Sequence, residues 1–467
     1  MTSPAIAASS GSLLFQGATL LCLDEPARVL PGWDLGVRGG RIVEMAPRID
    51  PAGYGETLDL AGHWVLPGLV QGHVHLGQTF FRGLAEERRL LAWLRERIWP
   101  LEAAHDDESA YWCGLLGAAE CLLTGTTTVQ DIGIGPGAAG LLAAIADSGL
   151  RGFAGLCLMD VGDGLPDALC QETARALDDA IRLGERLEHA TGGRVRPVLN
   201  PRFILSCSDA LWRGLRELAA RRGWPVHTHA LEQREEGAAV RALKAGRDEI
   251  DYFDDEGILD VDLRLAHGVW LEGSHLSRIA RRRVSVVHCP SSNLKLASGI
   301  ADVVEIRRHG VPVGLGCDGA ACSNRLDALA EARLAALLQR PRHGPRELTG
   351  VDALRLVTSE GAKALGLDRE VGSLEVGKRA DLLVLRPGHP ELWSAPEADP
   401  HDVVVFGAGA GAVRHVAVDG ELLVRDGALT RLHLETILSR ASTAWRDLAT
   451  RARRQGLELS AAAPFLG

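Results

Sequence analysis

This sequence of 467 residues lacks the features of several specialised protein classes. Its longest apolar runs fall far short of the roughly 18 residues that a membrane-spanning helix needs. The net charge is −10 and no block of lysine or arginine is present, so no nucleic-acid or anionic-membrane partner is expected. The nine cysteines are scattered, odd in number and without CxxC spacing, which excludes an obvious disulfide framework.

The N-terminal residues do not show the pattern expected of a secretory signal. The stretch MTSPAIAASSGSLLF has neither the basic start nor the apolar core of a secretory signal. The hydrophobic fraction of 46% is ample for a large core, and no internal repeat or low-complexity stretch is evident. We therefore expect a soluble cytoplasmic protein of two or three domains, one of them large enough to be a barrel.

Both ends of the sequence consist of short alternating segments that are typical of antiparallel sheets. At the N-terminal end they run from about residue 12 to residue 62, and after Leu365 similar segments return as GSLEVGKRADLLVLRP, DVVVFGAG and VRHVAVDGELLVRDG. We expect residues 1–64 and 367–430 to form one small β-sandwich domain. Residues 431–467 then form a C-terminal helix and tail, with the helix over Thr436–Arg453.

The middle of the sequence, residues 65–366, alternates brief apolar runs with amphipathic helix patterns such as Glu108–Leu123, Glu172–Leu187 and Leu326–Gln339. The eight apolar runs are Val65–Val70, TTTVQD, RGFAGLCLMD, VRPVLNPR, PVHTHA, LRLAHG, VSVVHC and VPVGLGCDG. Eight strand-and-helix units over about 300 residues predict a (β/α)8 TIM barrel, and hence an α/β fold.

A His-x-His pair, His73 and His75, ends the first of these runs. Alternate residues of a strand point to the same side, so both imidazoles can reach one metal ion. Such a pair alone is weak evidence, but His229, His267 and Asp318 also stand at the ends of apolar runs. Because catalytic residues of parallel barrels come from the C-terminal strand ends, these residues together predict a metal site.

Three histidines, one aspartate and a water molecule suit one zinc ion, although this type of ligand set leaves iron or manganese open. We predict a structural role for His227. His288, in VVHCPSSN, either lines the pocket or supports the residues that do.

Long motifs along nearly the whole chain are similar to those of one family. They are PGLVQGHVHLGQTFFRG, WLRERIWPLE, TGTTTVQD, PRFILSCS, HTHALE, AHGVWL, HCPSSNLKLASGI, GLGCDGAACSNRLD and EVGSLEVGKRADLLVL. The sequence is identified by them as a member of the amidohydrolase superfamily. It resembles the branch that contains chlorotriazine hydrolases, adenosylhomocysteine/methylthioadenosine deaminases and guanine deaminases.

The resemblance implies an enzyme with one metal ion held by His73, His75, His229 and Asp318, and a homo-oligomer. It assigns Glu232 and His267 as catalytic partners. Bound zinc lowers the pKa of a water ligand from about 15.7 to near 7. Glu232 would then shuttle protons to the ring and the departing amine, while Asp318 takes the proton of the water and His267 orients that water.

The substrate motifs point in two directions. Arg202 and Gln78 match the arginine and glutamine with which guanine deaminases bind the purine carbonyl, unless Arg202 instead pairs with a carboxylate. The segments GAACSNRLD, WLRERIWPLE and SSNLKLASGI look more like deaminases of adenosylhomocysteine and 5′-deoxyadenosine. However, Ala92 stands where many of those enzymes carry the glutamate that holds the ribose hydroxyls.

The favoured hypothesis from sequence is a zinc-dependent hydrolytic deaminase of an amino-substituted purine-like or pterin-like ring, of the guanine or 8-oxoguanine type. The first alternative is a deaminase of adenosine-type nucleosides, and the second is an s-triazine hydrolase that releases chloride or an amine. A non-catalytic assembly protein is disfavoured, because every expected metal ligand is present.

Overall fold

The computed structural model describes residues 11–459. The strands are β1 Leu13–Leu21, β2 Val29–Arg38, β3 Arg41–Ala46, β4 Glu56–Asp59, β5 Trp64–Pro67, β6 Leu69–His75, β7 Thr126–Asp131, β8 Arg151–Ala154, β9 Cys157–Leu158, β10 Val195–Pro197, β11 Asn200–Pro201, β12 Val226–Ala230, β13 Leu263–His267, β14 Val284–His288, β15 Val313–Leu315, β16 Asp318–Gly319, β17 Leu382–Leu385, β18 Val413–Val418, β19 Glu421–Arg425 and β20 Ala428–Leu429.

The α-helices are α1 Leu90–Trp93, α2 Trp99–Ala103, α3 Asp107–Leu123, α4 Ala138–Ser148, α5 Thr173–Thr191, α6 Asp209–Arg222, α7 Arg234–Leu243, α8 Glu249–Asp255, α9 Gly273–Ile279, α10 Pro290–Lys295, α11 Val303–Arg308, α12 Ala328–His343, α13 Gly350–Leu356, α14 Ser359–Ala364, α15 Pro400–Gly407 and α16 Leu434–Arg454. A π-helical turn, Leu94–Ile98, joins α1 to α2. None of the helices between residues 11 and 459 is long and apolar enough to cross a membrane.

The two chain ends share one sheet of nine strands. Its order is β20-β19-β18-β17-β5-β1-β2-β3, with β4 paired to β1. Strand β17 from the C-terminal end pairs antiparallel with β5 from the N-terminal end. Apolar residues of both ends, among them Phe15, Val65 and Leu382, pack in one core. The ends therefore build a single module, while its division into two sandwich layers stays a prediction.

The central strands pair in parallel and return to their starting point. In chain order β6, β7, β8 and β10 are neighbours, β9 pairs with β11, and β12 to β15 follow one another. A bridge between Leu199 and Val226 links the β10–β11 segment to β12, and β16 pairs with β6. The mixed α/β class is confirmed, and this circular pairing order is the one that a (β/α)8 barrel requires.

The structure differs from the prediction at the first barrel strand. The apolar run Val65–Val70 is divided: β5 belongs to the terminal sheet, and only β6 joins the parallel strands. The break lies at Gly68, where an added Cβ would stand 2.2 Å from the Thr127 side chain. Pro67 just before it has no backbone N–H to donate to a strand neighbour. Periodicity within the run could not reveal this change of sheet.

The four predicted helices are present as α3, α5, α12 and α16, each within a few residues of the predicted bounds. Within the predicted terminal domain and tail, residues 1–10 and 460–467 lie outside the described residues.

A buried ion pair ties the terminal sheet to the parallel strands. Arg151, at the start of β8, donates to both carboxylate oxygens of Asp381 at 2.7 and 3.1 Å, and to Asp419 at 2.5 Å. The Arg151 and Asp381 side chains are only 3% and 1% exposed. Asp381 lies in the motif GKRADLLVL. The acidic residue of that motif therefore has a structural role, which is to pair with Arg151.

We predict that R151M lowers the free energy of unfolding by about 3–5 kcal/mol, because it leaves the Asp381 carboxylate buried without its cation. The matched control is R182M, which removes an exposed Arg182–Asp179 pair and should cost about 0–1 kcal/mol. Urea unfolding of both variants checks the difference. Equal losses would show that the buried pair is not what joins the two parts.

Candidate metal and catalytic site

Four side chains converge where β6, β12 and β16 end. The metal-ligating atoms of His73, His75, His229 and Asp318 all lie within 4.8 Å of one another. Asp318 Oδ1 is 3.3 Å from His73 Nε2 and 3.2 Å from His75 Nε2. His75 Nε2 is 3.1 Å from His229 Nε2. All four residues are at most 9% exposed.

The opposite nitrogens of two of these histidines are held by neighbours. His73 Nδ1 lies 2.9 Å from His227 Nε2, and His229 Nδ1 donates to the Arg202 carbonyl at 2.7 Å. A carbonyl acceptor at Nδ1, as in His229, selects the tautomer whose Nε2 is free for a metal ion. His73 Nε2 is buried and has no hydrogen-bond partner among the described residues.

The donor set therefore fits a divalent metal ion. Burial lowers the pKa of His73, His75 and His229, which keeps their imidazoles neutral and able to bind a cation. His227 has the structural role expected from sequence, in contact with a candidate ligand.

Asp318 is held in a fixed orientation at the end of the strand series. Ser292 Oγ donates to Asp318 Oδ2 at 2.6 Å, which leaves Oδ1 facing His73 and His75. The backbone of Asp318 is left-handed, with φ 61°, as is that of His267, with φ 74°. Such strain in residues other than glycine persists only where the surroundings enforce it, and it often marks functional sites.

His267 is positioned by two buried side chains. Its Nδ1 donates to Asn293 Oδ1 at 2.9 Å, and Asn293 Nδ2 donates to His288 Nδ1 at 3.5 Å. His267 Nε2 has no hydrogen-bond partner in the described chain and lies between Glu232 Oε2 at 3.4 Å and Asp318 Oδ2 at 3.9 Å. From sequence, His288 is expected either to line the pocket or to support the residues that do. Its contact with Asn293 agrees with the second hypothesis.

Glu232 faces the same space from the loop after β12. Ser298 Oγ donates to Glu232 Oε1 at 3.1 Å. Burial and the charge of Asp318 raise the pKa of Glu232 to about 8. A carboxyl group with a pKa near neutrality is suited to carry protons in either direction.

One cavity connects these groups. It is lined by His75, His229, Glu232, Glu236, His267, Asp318 and Arg202, and by an apolar wall of Leu90, Trp93, Leu94, Phe203 and Leu296. The wall residues from α1 enter the cavity beside a π-helical turn, in which the Trp99 N–H donates to the Leu94 carbonyl. Pro100 follows and has no N–H, so the widened turn replaces a regular helical one.

Trp93 and Trp99 are 4% and 3% exposed. Trp93 lies in the wall of the cavity. Trp99 packs in the core beneath it.

Arg202 and Gln78 both contact one buried carboxylate. Arg202 donates to Glu102 Oε2 at 2.6 Å, and Gln78 donates to Glu102 Oε1 at 2.8 Å. The Gln78 amide nitrogen also lies 3.1 Å from His75 Nδ1. Glu102 is 1% exposed, so both residues serve a buried carboxylate. The hydrogen bond to Glu102 agrees with the alternative expectation that Arg202 pairs with a carboxylate.

Sequence reasoning missed four residues of this site: Glu102, Ser292, Asn293 and Ser298. Three of them lie in HCPSSNLKLASGI, a motif that resembles the family but assigns no role to its polar residues. Glu102 lies in WLRERIWPLE. Their side chains contact other side chains from distant strands, a relation that spacing along the chain cannot reveal.

Comparison with known proteins places the chain in a family. The model of the amidohydrolase family matches residues 64–423. The chain belongs to the amidohydrolase family. It is 33% identical over 434 residues to a 5-methylthioadenosine/S-adenosylhomocysteine deaminase of Pelotomaculum thermopropionicum, covering 92% of this chain and 97% of that protein. It is also 33% identical over 414 residues to a 5′-deoxyadenosine deaminase of Methanobrevibacter smithii, covering 88% and 93%.

A solved structure of a similar protein contains a zinc ion. The zinc-bound adenosine deaminase from Xanthomonas campestris is 29% identical, covers 95% of this chain and 98% of its own, and has a TM-score of 0.86. This amidohydrolase is therefore a metal-dependent hydrolase of C–N bonds, and the cluster of His73, His75, His229 and Asp318 can hold its metal ion.

We predict that H227L weakens zinc binding by about 10–100-fold, because His73 loses the contact that orients its ring. The control is H288L, which alters a buried histidine that contacts Asn293 and no candidate metal ligand. Competition with a chromophoric chelator measures both affinities. Unchanged affinity in H227L would contradict the orienting role.

Proposed function

We propose that this amidohydrolase is a zinc-dependent hydrolytic deaminase of adenosine-type nucleosides such as 5′-deoxyadenosine, 5′-methylthioadenosine or S-adenosylhomocysteine. The main support is identity of 32–35% to curated deaminases of these nucleosides over at least 86% of this chain. A cavity that brings three of the four candidate ligands together with Glu232 and His267 is consistent with the same reaction.

The cavity supports the nucleoside hypothesis over the guanine type favoured from sequence. A guanine-type site aims an arginine and a glutamine together at the ring carbonyl of an oxopurine. Arg202 donates to Glu102, and Gln78 is absent from the lining of the cavity. The apolar wall, which includes Leu90 and Leu296, instead suits a nucleoside whose 5′ substituent has no hydroxyl group.

In the proposed reaction His73, His75, His229 and Asp318 hold the metal ion. When bound, the ion polarises a water molecule so that it can act as a nucleophile near neutral pH. His267 Nε2 accepts a hydrogen bond from this water, because Nδ1 carries the ring proton that is donated to Asn293. Asp318 takes the proton that the water gives up.

Glu232 supplies the acid–base chemistry on the substrate side. Its protonated carboxyl group donates to the ring nitrogen next to the carbon that carries the amino group. The water oxygen forms a bond to that carbon. The amine then takes the proton held by Asp318, the C–N bond breaks and ammonia leaves, while the remaining hydroxyl proton passes to Glu232 as the ring carbonyl forms. Ser298 and His267 flank the Glu232 carboxyl group on its two oxygens, which keeps it beside the substrate ring.

We also infer how the chain is divided into domains. Residues 65–366 form the catalytic (β/α)8 barrel, residues 11–64 and 367–430 form the β-sandwich module, and helix α16 follows them. The circular parallel pairing and the shared terminal sheet support this division. The passage of β5 into the terminal sheet moves the start of the barrel to Leu69.

The substrate class is tested by incubating the zinc-loaded protein with 5′-deoxyadenosine, 5′-methylthioadenosine, S-adenosylhomocysteine, guanine, 8-oxoguanine and atrazine. We expect ammonia from the nucleosides and none from the oxopurines, because Gln78, one of the two donors of the guanine-type pattern, does not line the cavity. Ammonia and chloride assays give the result. Turnover of an oxopurine with none of any nucleoside would restore the guanine hypothesis, and chloride release from atrazine alone would favour the triazine one.

The proton-carrying role predicts that E232Q loses about 10²–10⁴-fold in kcat, the usual contribution of a general acid or base. Its zinc content should stay at the wild-type level, because Glu232 is not among the four candidate ligands. The control is E235Q, three residues along, whose side chain is 49% exposed and outside the cavity lining. A near-normal rate in E232Q would exclude this role.

A further inference from the structure

Three consecutive backbone amides around the catalytic carboxyl group are held by buried carboxylates. Glu249 Oε2 accepts the Leu231 N–H at 2.8 Å. Glu236 Oε2 accepts the Glu232 N–H at 2.9 Å and the Gln233 N–H at 3.2 Å. The loop that presents Glu232 is thus fixed at every amide from residue 231 to 233 by two side chains from α7 and α8.

The loop needs this support because its backbone is strained. Leu231 has φ 53°, a left-handed conformation that a leucine adopts at a cost. Consecutive N–H groups in such a turn form a concave site that favours an anion. Here the two glutamates provide the anions, and the strained turn directs the Glu232 side chain towards His267.

Helix capping alone does not account for this arrangement. Glu236 does complete a capping box with Gln233 at the start of α7, as Asp352 does with Thr349 at the start of α13. However, the Asp352 side chain is 23% exposed, whereas Glu236 is only 1% exposed. Glu236 also lines the cavity, and it accepts a hydrogen bond from the backbone amide of Glu232.

The burial of Glu236 and Glu249 is costly in the absence of a role. Burial, followed by the charge of Glu232, raises the pKa of Glu236 to about 7. Burial also raises the pKa of Glu249. Carboxyl groups are rarely kept in such an environment without a compensating gain, and here hydrogen bonds to the catalytic loop provide one.

We propose that Glu236 and Glu249 are positioning residues that hold Leu231, Glu232 and Gln233 so that the Glu232 carboxyl group faces the reacting ring. This inference rests on the proposed role of Glu232 in deamination. Both residues act through the backbone amides that their carboxylates bond. Their contribution is the placement of the proton carrier, for which an error of about 1 Å can cost about 100-fold in rate.

Hydrogen exchange of the zinc-loaded protein tests the positioning without using activity. Mass spectrometry with residue-level fragmentation should show the amides of Glu232 and Gln233 exchanging at least about tenfold faster in E236A, the change expected on losing a bond to a charged group. In E249A the faster amide should be that of Leu231. Unchanged exchange at these amides in both variants would overturn the proposal.

Kinetics with the preferred nucleoside provide the second test. E236A should lose about 100-fold in kcat with KM and zinc content unchanged, because the displaced group acts in the chemical step. E236Q should recover most of this rate, since its amide oxygen still accepts both N–H groups. The control D352A removes the matching capping acid far from the cavity and should keep wild-type kcat.

The outcomes separate the two proposals. A loss of kcat shared equally by E236A and D352A would reduce Glu236 to a capping residue and overturn the positioning role. A raised KM with normal kcat in E236A would also overturn it. Absence of ammonia from every nucleoside with the wild-type protein would refute the proposed function, and the exchange measurement alone would then decide for or against the positioning.

Discussion

The site depends on one constraint: three imidazole Nε2 atoms and one carboxylate must converge in a space from which water is largely excluded. Three neutral histidines and Asp318 meet this requirement because other groups hold their far sides. His227 contacts His73, the Arg202 carbonyl accepts from His229, and Ser292 donates to Asp318. Without these contacts the buried rings would be free to turn, and the donor atoms would no longer face one point.

The same logic extends outward from the metal cluster. Asn293 holds His267, Ser298 holds Glu232, and two further glutamates hold the loop on which Glu232 lies. Left-handed backbone at Leu231, His267 and Asp318 shows where the chain is strained to aim these side chains. A rigid parallel sheet supports that strain, and the buried Arg151–Asp381 pair anchors the sheet to the terminal module.

Much of this architecture could be predicted from sequence, for physical reasons. Periods of 2 and 3.6 residues identify strands and helices locally, and the parallel arrangement then brings His73, His229 and Asp318 to one end. The predicted ligands accordingly lie together. Periodicity could not divide Val65–Val70 at Gly68, because the division depends on the close approach of Thr127.

The sequence also could not reveal which residues pair with buried charged side chains. Arg202 and Gln78 matched a substrate-binding pattern, yet Glu102, which lies 100 residues before Arg202, engages both of them. The curated relatives are named as deaminases of nucleosides.

The central claim is that one metal ion binds between His73, His75, His229 and Asp318 and serves a hydrolytic reaction. Anomalous diffraction at the zinc edge from crystals of the zinc-loaded protein tests it most directly. The account predicts one peak at about 2.0–2.2 Å from the three Nε2 atoms and an Asp318 oxygen. A peak elsewhere, or one bound through Glu232 or His267 in place of these ligands, would contradict it.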